Sequence, residues 1–161
     1  MSIKKALITG IAGQGGLRRG ACVNSMDFET LKAKIIQLAH VNSDIELLWL
    51  YGSHAKLMAH DNSDIDLAVA FKCWENDILE RRLRPELLAL DWQTELNLTE
   101  GQLSILDINQ APIPLAMSVL QSGQLLMSKN RSRQWQEQQR ILSRWEIDYL
   151  YHYQHQQVLY G

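Results

Sequence analysis

Apolar residues recur at three-to-four spacing through Phe28, Leu31, Ile35 and Leu38. That spacing predicts an amphipathic helix, with Asp27 as its cap and Asn42-Ser43 as its stop. Residues 45–51 are almost wholly apolar and read as a buried strand. Gly52-Ser53 then turns the chain into a short helical stretch around 55–58, and Asp61-Asn62-Ser63 reads as a loop. From 64 to 71 charged and apolar residues alternate before the run turns wholly apolar, as in a strand with one end in a site. Residues 76–98 carry a helical pattern that Pro85 is expected to interrupt. A third strand is expected over 103–108. A helix starts at Pro112 and Pro114 and runs through Leu120, Gly123 closes it, and a short strand follows at 124–128. Residues 132–153 read as a long polar helix bearing Trp135, Ile141, Leu142, Trp145 and Leu150. Alternating helices and strands predict an α/β (α+β) domain, a small mixed β-sheet flanked by helices with a long helix at its C-terminal side.

Composition sharpens this in one place. The chain has 161 residues, 46% apolar and 21% charged, the size and balance of one globular domain. Its net charge of -2 is unevenly spread: residues 1–25 hold Lys4, Lys5, Arg18 and Arg19 with no acid, leaving -6 for the remainder. An acidic body of this kind is a poor partner for nucleic acid, so no direct nucleic-acid contact is expected. No apolar run approaches the ~20 residues of a membrane span. No export signal opens the chain, so a cytoplasmic protein is expected. Two cysteines, Cys22 and Cys73, exclude a disulfide framework or a cysteine-rich zinc site.

Residues 4–16, KKALITGIAGQGG, are an apolar strand followed by Gly10, Gly13 and Gly16. They resemble the first strand and turn of dinucleotide-binding Rossmann domains. The context that motif needs, a clean helix and then a second strand with an acidic ribose anchor, does not follow. Residues 1–25 are therefore expected to be an extension outside the fold, disordered or non-native, with Met26 a possible natural start. The domain is expected to span 26–130, and 131–161 to be a helix contacting a partner.

The chemistry concentrates in residues 51–69, YGSHAKLMAHDNSDIDLAV. Gly52 and Ser53 end a strand and begin a helix, so backbone N–H groups, the Ser53 hydroxyl and the helix dipole can hold a triphosphate. Asp64 and Asp66 are two apart on a strand, so both carboxylates face one side. Such a pair suits Mg²⁺, which takes one or two carboxylates plus substrate phosphates. Two ions a few ångströms apart stabilise both attacking and leaving oxygens of an in-line displacement. Ser63 serves equally as a turn residue or a ligand.

This stretch resembles the nucleotidyltransferase superfamily, whose pattern is a Gly-Ser turn followed by Asp-x-Asp on the next strand. Ser63 before the pair and Leu67-Ala68-Val69 after it agree as well. Within the superfamily the chain is most similar to the minimal nucleotidyltransferases, the MNT antitoxins that act beside HEPN-domain (HepT-like) toxins. The likeness covers residues 28–128. Two positions depart from it: His54 stands where the family often has Arg, and Lys56-Leu57 where it often has Gly. The resemblance implies a third carboxylate on a neighbouring strand. Ser104 occupies the position where the family often carries it, which leaves Asp107 as the candidate, completing a metal shell or accepting the nucleophile's proton. It also implies Asp64, Asp66 and Asp107 as metal-binding and catalytic residues, Gly52, Ser53 and Ser63 on the nucleotide, two Mg²⁺ ions, and ATP as substrate.

The activity so implied is transfer of AMP to a tyrosine of a cognate HEPN ribonuclease, a type VII toxin–antitoxin pair in a hetero-oligomer. An occluding antitoxin without chemistry, or a transferase acting on a small molecule such as an aminoglycoside, are the alternatives. His54 and His60 read as surface histidines. His152 and His155, three apart, lack the further ligands of a zinc site. Trp135, Trp145, Tyr149, Tyr151 and Tyr153, with Arg131, Arg133, Arg140 and Arg144, fit helix packing and a partner surface equally.

Overall fold

The computed structural model of the chain describes residues 27–56 and 63–160. The expected extension over 1–25, the Gly10, Gly13 and Gly16 motif, Met26 and His60 lie outside the described residues. The chain divides into two compact units, Met1–Ile35 and Ile36–Gly161. The first contributes the opening turns of helix α1 (Phe28–Val41), in which Leu31 and Ile35 are buried. The second holds the sheet and the remaining elements, the helix from residue 131 included.

Four strands form one mixed sheet: β1 (Ile45–Tyr51), β2 (Ile65–Phe71), β3 (Leu103–Asp107) and β4 (Gln124–Ser128), in the order β3-β2-β1-β4. β1 runs antiparallel to β2 and β4, whereas β2 and β3 are parallel. The helices between them are α2 (Gly52–Ala55), α3 (Ile78–Leu96), α4 (Ile113–Ser122) and α5 (Arg131–Tyr160). This is the expected α/β architecture. No helix among the described residues is long and apolar enough to cross a membrane.

Strand alternation sends two sets of side chains to opposite faces. On one, Leu47, Trp49, Ala68 and Ala70 pack with Ile108, Ala111, Ala116, Met117 and Val119, and with Ile141 of α5. The alanines of β2 leave room for α4 and α5 to approach the sheet. On the other, Leu48, Leu50, Leu67, Val69, Leu103 and Ile105 are buried. α3 packs beside β3 with Leu88, Ala89, Trp92 and Leu96 buried, and its Gln93 Nε2 donates to the Leu103 carbonyl at 2.9 Å.

The expected break at Pro85 does not occur: α3 runs unbroken through it. A proline has no N–H, so the carbonyl four residues earlier, Arg81 O, loses its helical donor. Gln110 Nε2 supplies one instead, at 2.8 Å. The Asp77 carboxylate caps the helix start by accepting from Leu79 N and Glu80 N, both at 2.9 Å. Asn97 ends it in the left-handed conformation.

Candidate active site

Because β1 and β2 are antiparallel, the end of β1 lies beside the start of β2, and Tyr51 pairs with Asp66. The next residue, Gly52, has φ +74°. An L side chain is strained in that conformation. It would also have no room, since a Cβ on Gly52 would run into the Asp66 carboxylate. Glycine is thus required twice over for the turn to pass directly beside the acid. α2 begins at Gly52, earlier than the sequence pattern suggests, and is one turn of four residues. It offers individual N–H groups rather than a substantial macrodipole.

Asp64, exposed, immediately precedes β2, and Asp66 lies half-buried within it. Burial raises the Asp66 pKa above the ordinary carboxylate value, the Asp64 charge raises it further, and His54 opposes both. The Tyr51 hydroxyl is shifted upward too, by burial first and then by the Asp66 charge, against a hydrogen bond with Ser104. The turn, the acid pair and His54 therefore share one electrostatic neighbourhood. His54 Nε2 lies 3.0 Å from the Ser63 carbonyl and, facing an acceptor, donates to it. This bond ties α2 to the residue preceding the acids. Lys56 is exposed at the C-cap of α2.

The register places Ser104, not Asp107, opposite Asp66. Asp107 pairs with Val69, three residues along β3, about 10 Å away, and its strand position faces the other side of the sheet. Its two oxygens accept from Asn109 N at 3.0 Å and Gln110 Nε2 at 2.8 Å. Asp107 thereby holds the very amide that satisfies the carbonyl orphaned by Pro85. The strand register thus sets Asp107 apart from the Asp64 and Asp66 pair it was expected to join, and its buried carboxylate contacts Asn109 and Gln110 instead.

The donor set fits a divalent cation. Two carboxylates on one side, with Asp66 raised in pKa by burial first and then by the Asp64 charge, gain from a shared positive charge. No group of three His, Cys, Asp or Glu side chains able to hold a metal forms among the described residues. A pair of carboxylates is the donor set of an ion that fills the rest of its shell with substrate oxygens and water, as Mg²⁺ does. His155 Nδ1 lies 2.9 Å from the Tyr151 carbonyl of its own helix. The sequence reading gave Tyr51 and Ser104 no part in the site. The period of two along β1 places Tyr51 with Leu47 and Trp49, but only the strand pairing brings Ser104 to Asp66.

α5 divides the two readings of its aromatic residues. Ile141 is fully buried and Trp145 packs against the core. Trp135, Ile147, Tyr149, Leu150, Tyr151 and Tyr153 are exposed.

Comparison with known proteins agrees with this geometry. The family model described as "Polymerase beta, Nucleotidyltransferase" matches residues 33–132. Among solved structures, a toxin–antitoxin complex with AMP-PNP aligns at TM-score 0.62 and 21% identity, covering 81% of this chain and 98% of that one. An MntA–HepT toxin–antitoxin structure aligns at 0.58 and 19% identity, covering 83% and 99%. A tri-AMPylated HEPN toxin in complex with MNT antitoxin from Shewanella oneidensis aligns at 0.58 and 18% identity, covering 83% and 98%. No functionally curated protein matches the sequence. The fold is that of these toxin–antitoxin structures, and with its Gly-Ser turn lying against an Asp-x-Asp pair the chain belongs to the polymerase beta-like nucleotidyltransferase family.

Proposed function

We propose that the chain is an MNT-domain antitoxin that transfers AMP from ATP to a tyrosine of a HEPN-domain toxin. The observation that carries this reading is Gly52, whose backbone touches the Asp66 carboxylate so closely that no side chain fits between them. Phosphate held by the N–H groups of the turn then lies beside the acids that neutralise it through a cation. The nucleotide in one structure of similar fold and the AMPylated toxin in another support the same chemistry.

In this reading Gly52 and Ser53 hold the outer phosphates, with Ser63 as a further contact. Asp64 and Asp66 hold Mg²⁺. Bound there, the ions supply Lewis-acid stabilisation of charge on the attacking and leaving oxygens. The acceptor oxygen forms a bond to the α-phosphorus as the bond to pyrophosphate breaks. The exposed side of α5 beyond Trp145 is the surface for the toxin, since aromatic residues are favoured at interface cores.

The test is the intact mass of a HEPN-domain partner after incubation with this chain, ATP and Mg²⁺, with Asp64→Ala as control. Added AMP units absent from the control establish the transfer. A stable complex without added mass overturns it in favour of occlusion.

A further inference from the structure

The far end of β2 opens on a second site. A cleft of ≈ 460 Å³ is lined by five arginines and three carboxylates, with Trp74 and Phe71 in its wall. The chain has 16 basic residues in all, so almost a third of them meet at one cavity of an acidic protein. The arginines come from two distant segments, Arg81 and Arg84 on α3 and Arg133, Arg140 and Arg144 on α5. The carboxyl ends of the parallel strands β2 and β3 both reach this cleft, the place where open α/β sheets bind ligands.

The lining charges are not evenly compensated. Glu137, fully buried, is held by Arg133 at 3.1 Å and Arg140 at 2.9 Å. Asp107 is occupied by Asn109 and Gln110. Three guanidiniums are fixed by backbone carbonyls, which orient a charge without cancelling it. Arg81 Nη1 donates to Glu75 O, Arg84 Nη1 to Cys73 O and Arg140 Nη2 to Ile108 O, each at 2.9 Å. Arg81 also stacks 4.4 Å above Trp74, and Arg84 lies 4.0 Å above Phe71. Arg84 has a long ion pair with Asp44, 3.6 Å. Among the described residues, Arg81 and Arg144 have no carboxylate partner.

We propose that this cleft binds a phosphate-bearing anion, free or carried on a nucleotide, separately from the acid pair. Guanidinium forks match phosphate oxygens bidentately, and these forks are already oriented. The volume lies within the range of small-molecule sites, roughly 300–1,000 Å³. Asp66 and Phe71 are five residues apart on β2, about 16 Å, so one nucleotide bound at the acids does not fill both places. The inference is independent of the transfer reaction.

Calorimetric titration of the full chain in EDTA at low ionic strength, with inorganic pyrophosphate and separately AMP, tests it. Saturable binding is expected, weakening at least tenfold in an Arg81→Gln/Arg144→Gln variant and unchanged in Ser53→Ala. Tighter pyrophosphate binding identifies a free anion, and tighter AMP binding a nucleotide-borne one. Should the double variant fail to fold by circular dichroism, Arg144→Gln alone, exposed on α5, is read in its place. No saturable binding, equal binding by the arginine variant, or loss in Ser53→Ala each overturns the proposal. So does binding of a glutamate-rich peptide in place of both phosphates.

Discussion

The two ends of β2 carry opposite charge and show two ways of holding it. At the start, Asp64 and Asp66 stand together with little to neutralise them, and the Asp66 pKa records the cost. At the finish, Glu137 is fully buried but gripped by two guanidiniums, and Asn109, its amide oriented to suit both neighbours, donates to Glu137 and accepts from Arg133. The first arrangement leaves charge for a ligand to relieve, whereas the second consumes it in the fold. Arg81 and Arg144 resemble the first although they lie at the second end. Uncompensated charge on a rigid frame is thus the mark shared by the candidate sites.

Substitutions at the two ends should separate these classes. The largest effect is expected from Asp64→Ala, which removes half of the acid pair: AMP transfer, read by mass, should fall at least ~10³-fold with the circular dichroism unchanged. Near wild-type transfer would break the assignment. Glu137→Ala strips a buried charge from its partners and should cost ~3–5 kcal/mol in urea unfolding. A cost below ~1 kcal/mol would place Glu137 among the loosely held charges. Gly52→Ala pushes a methyl group into Asp66, and transfer should drop about 10²-fold through misplacement of the turn. Gln110→Ala orphans the Arg81 carbonyl and should cost ~1–3 kcal/mol. Pro85→Ala restores an N–H there, so the pair of substitutions should cost less than Gln110→Ala alone.

Asp66→Asn sharpens the contrast with Glu137. A carboxyl raised in pKa on folding binds more protons folded than unfolded between its two pKa values. Stability is therefore lost as pH rises through that window, and the loss persists at neutral pH. Removing the charge should raise the melting temperature in EDTA at pH 7 and leave it unchanged below the unfolded pKa. Added Mg²⁺ should raise the wild-type melting temperature and leave that of Asp66→Asn where it is. A lowered melting temperature for Asp66→Asn in EDTA would show that the ionised carboxylate is satisfied by the fold.

Local pattern carried much of this architecture. The limits of β1 and β4 and the Asp-x-Asp pair follow from runs of a few residues, where apolar content, punctuation and the period of two agree. Pro85 misleads because its remedy, Gln110, lies 29 residues away in sequence from the carbonyl it serves. Asp107 misleads because proximity to Asp66 depends on parallel register, and only the strand pairing shows that Ser104 takes the opposing position. The arginine cleft left only half a trace: Arg133, Arg140 and Arg144 stand out on one helix, but its other walls come from residues 71–75, 81–84 and 107–109, which only the fold brings to them.

The last consequence concerns α5. A 30-residue helix rises about 45 Å, and its packing against the core is recorded only as far as Trp145. Between 146 and 155 every described residue is exposed. Helical turns without tertiary support are marginal in water. Their amide protons should exchange with solvent far faster than those around Ile141, and slow when a protein covers the exposed tyrosines. If the proposed partner docks there, this half of the helix becomes a built-in occupancy gauge, its exchange protection reporting how much of the chain is bound.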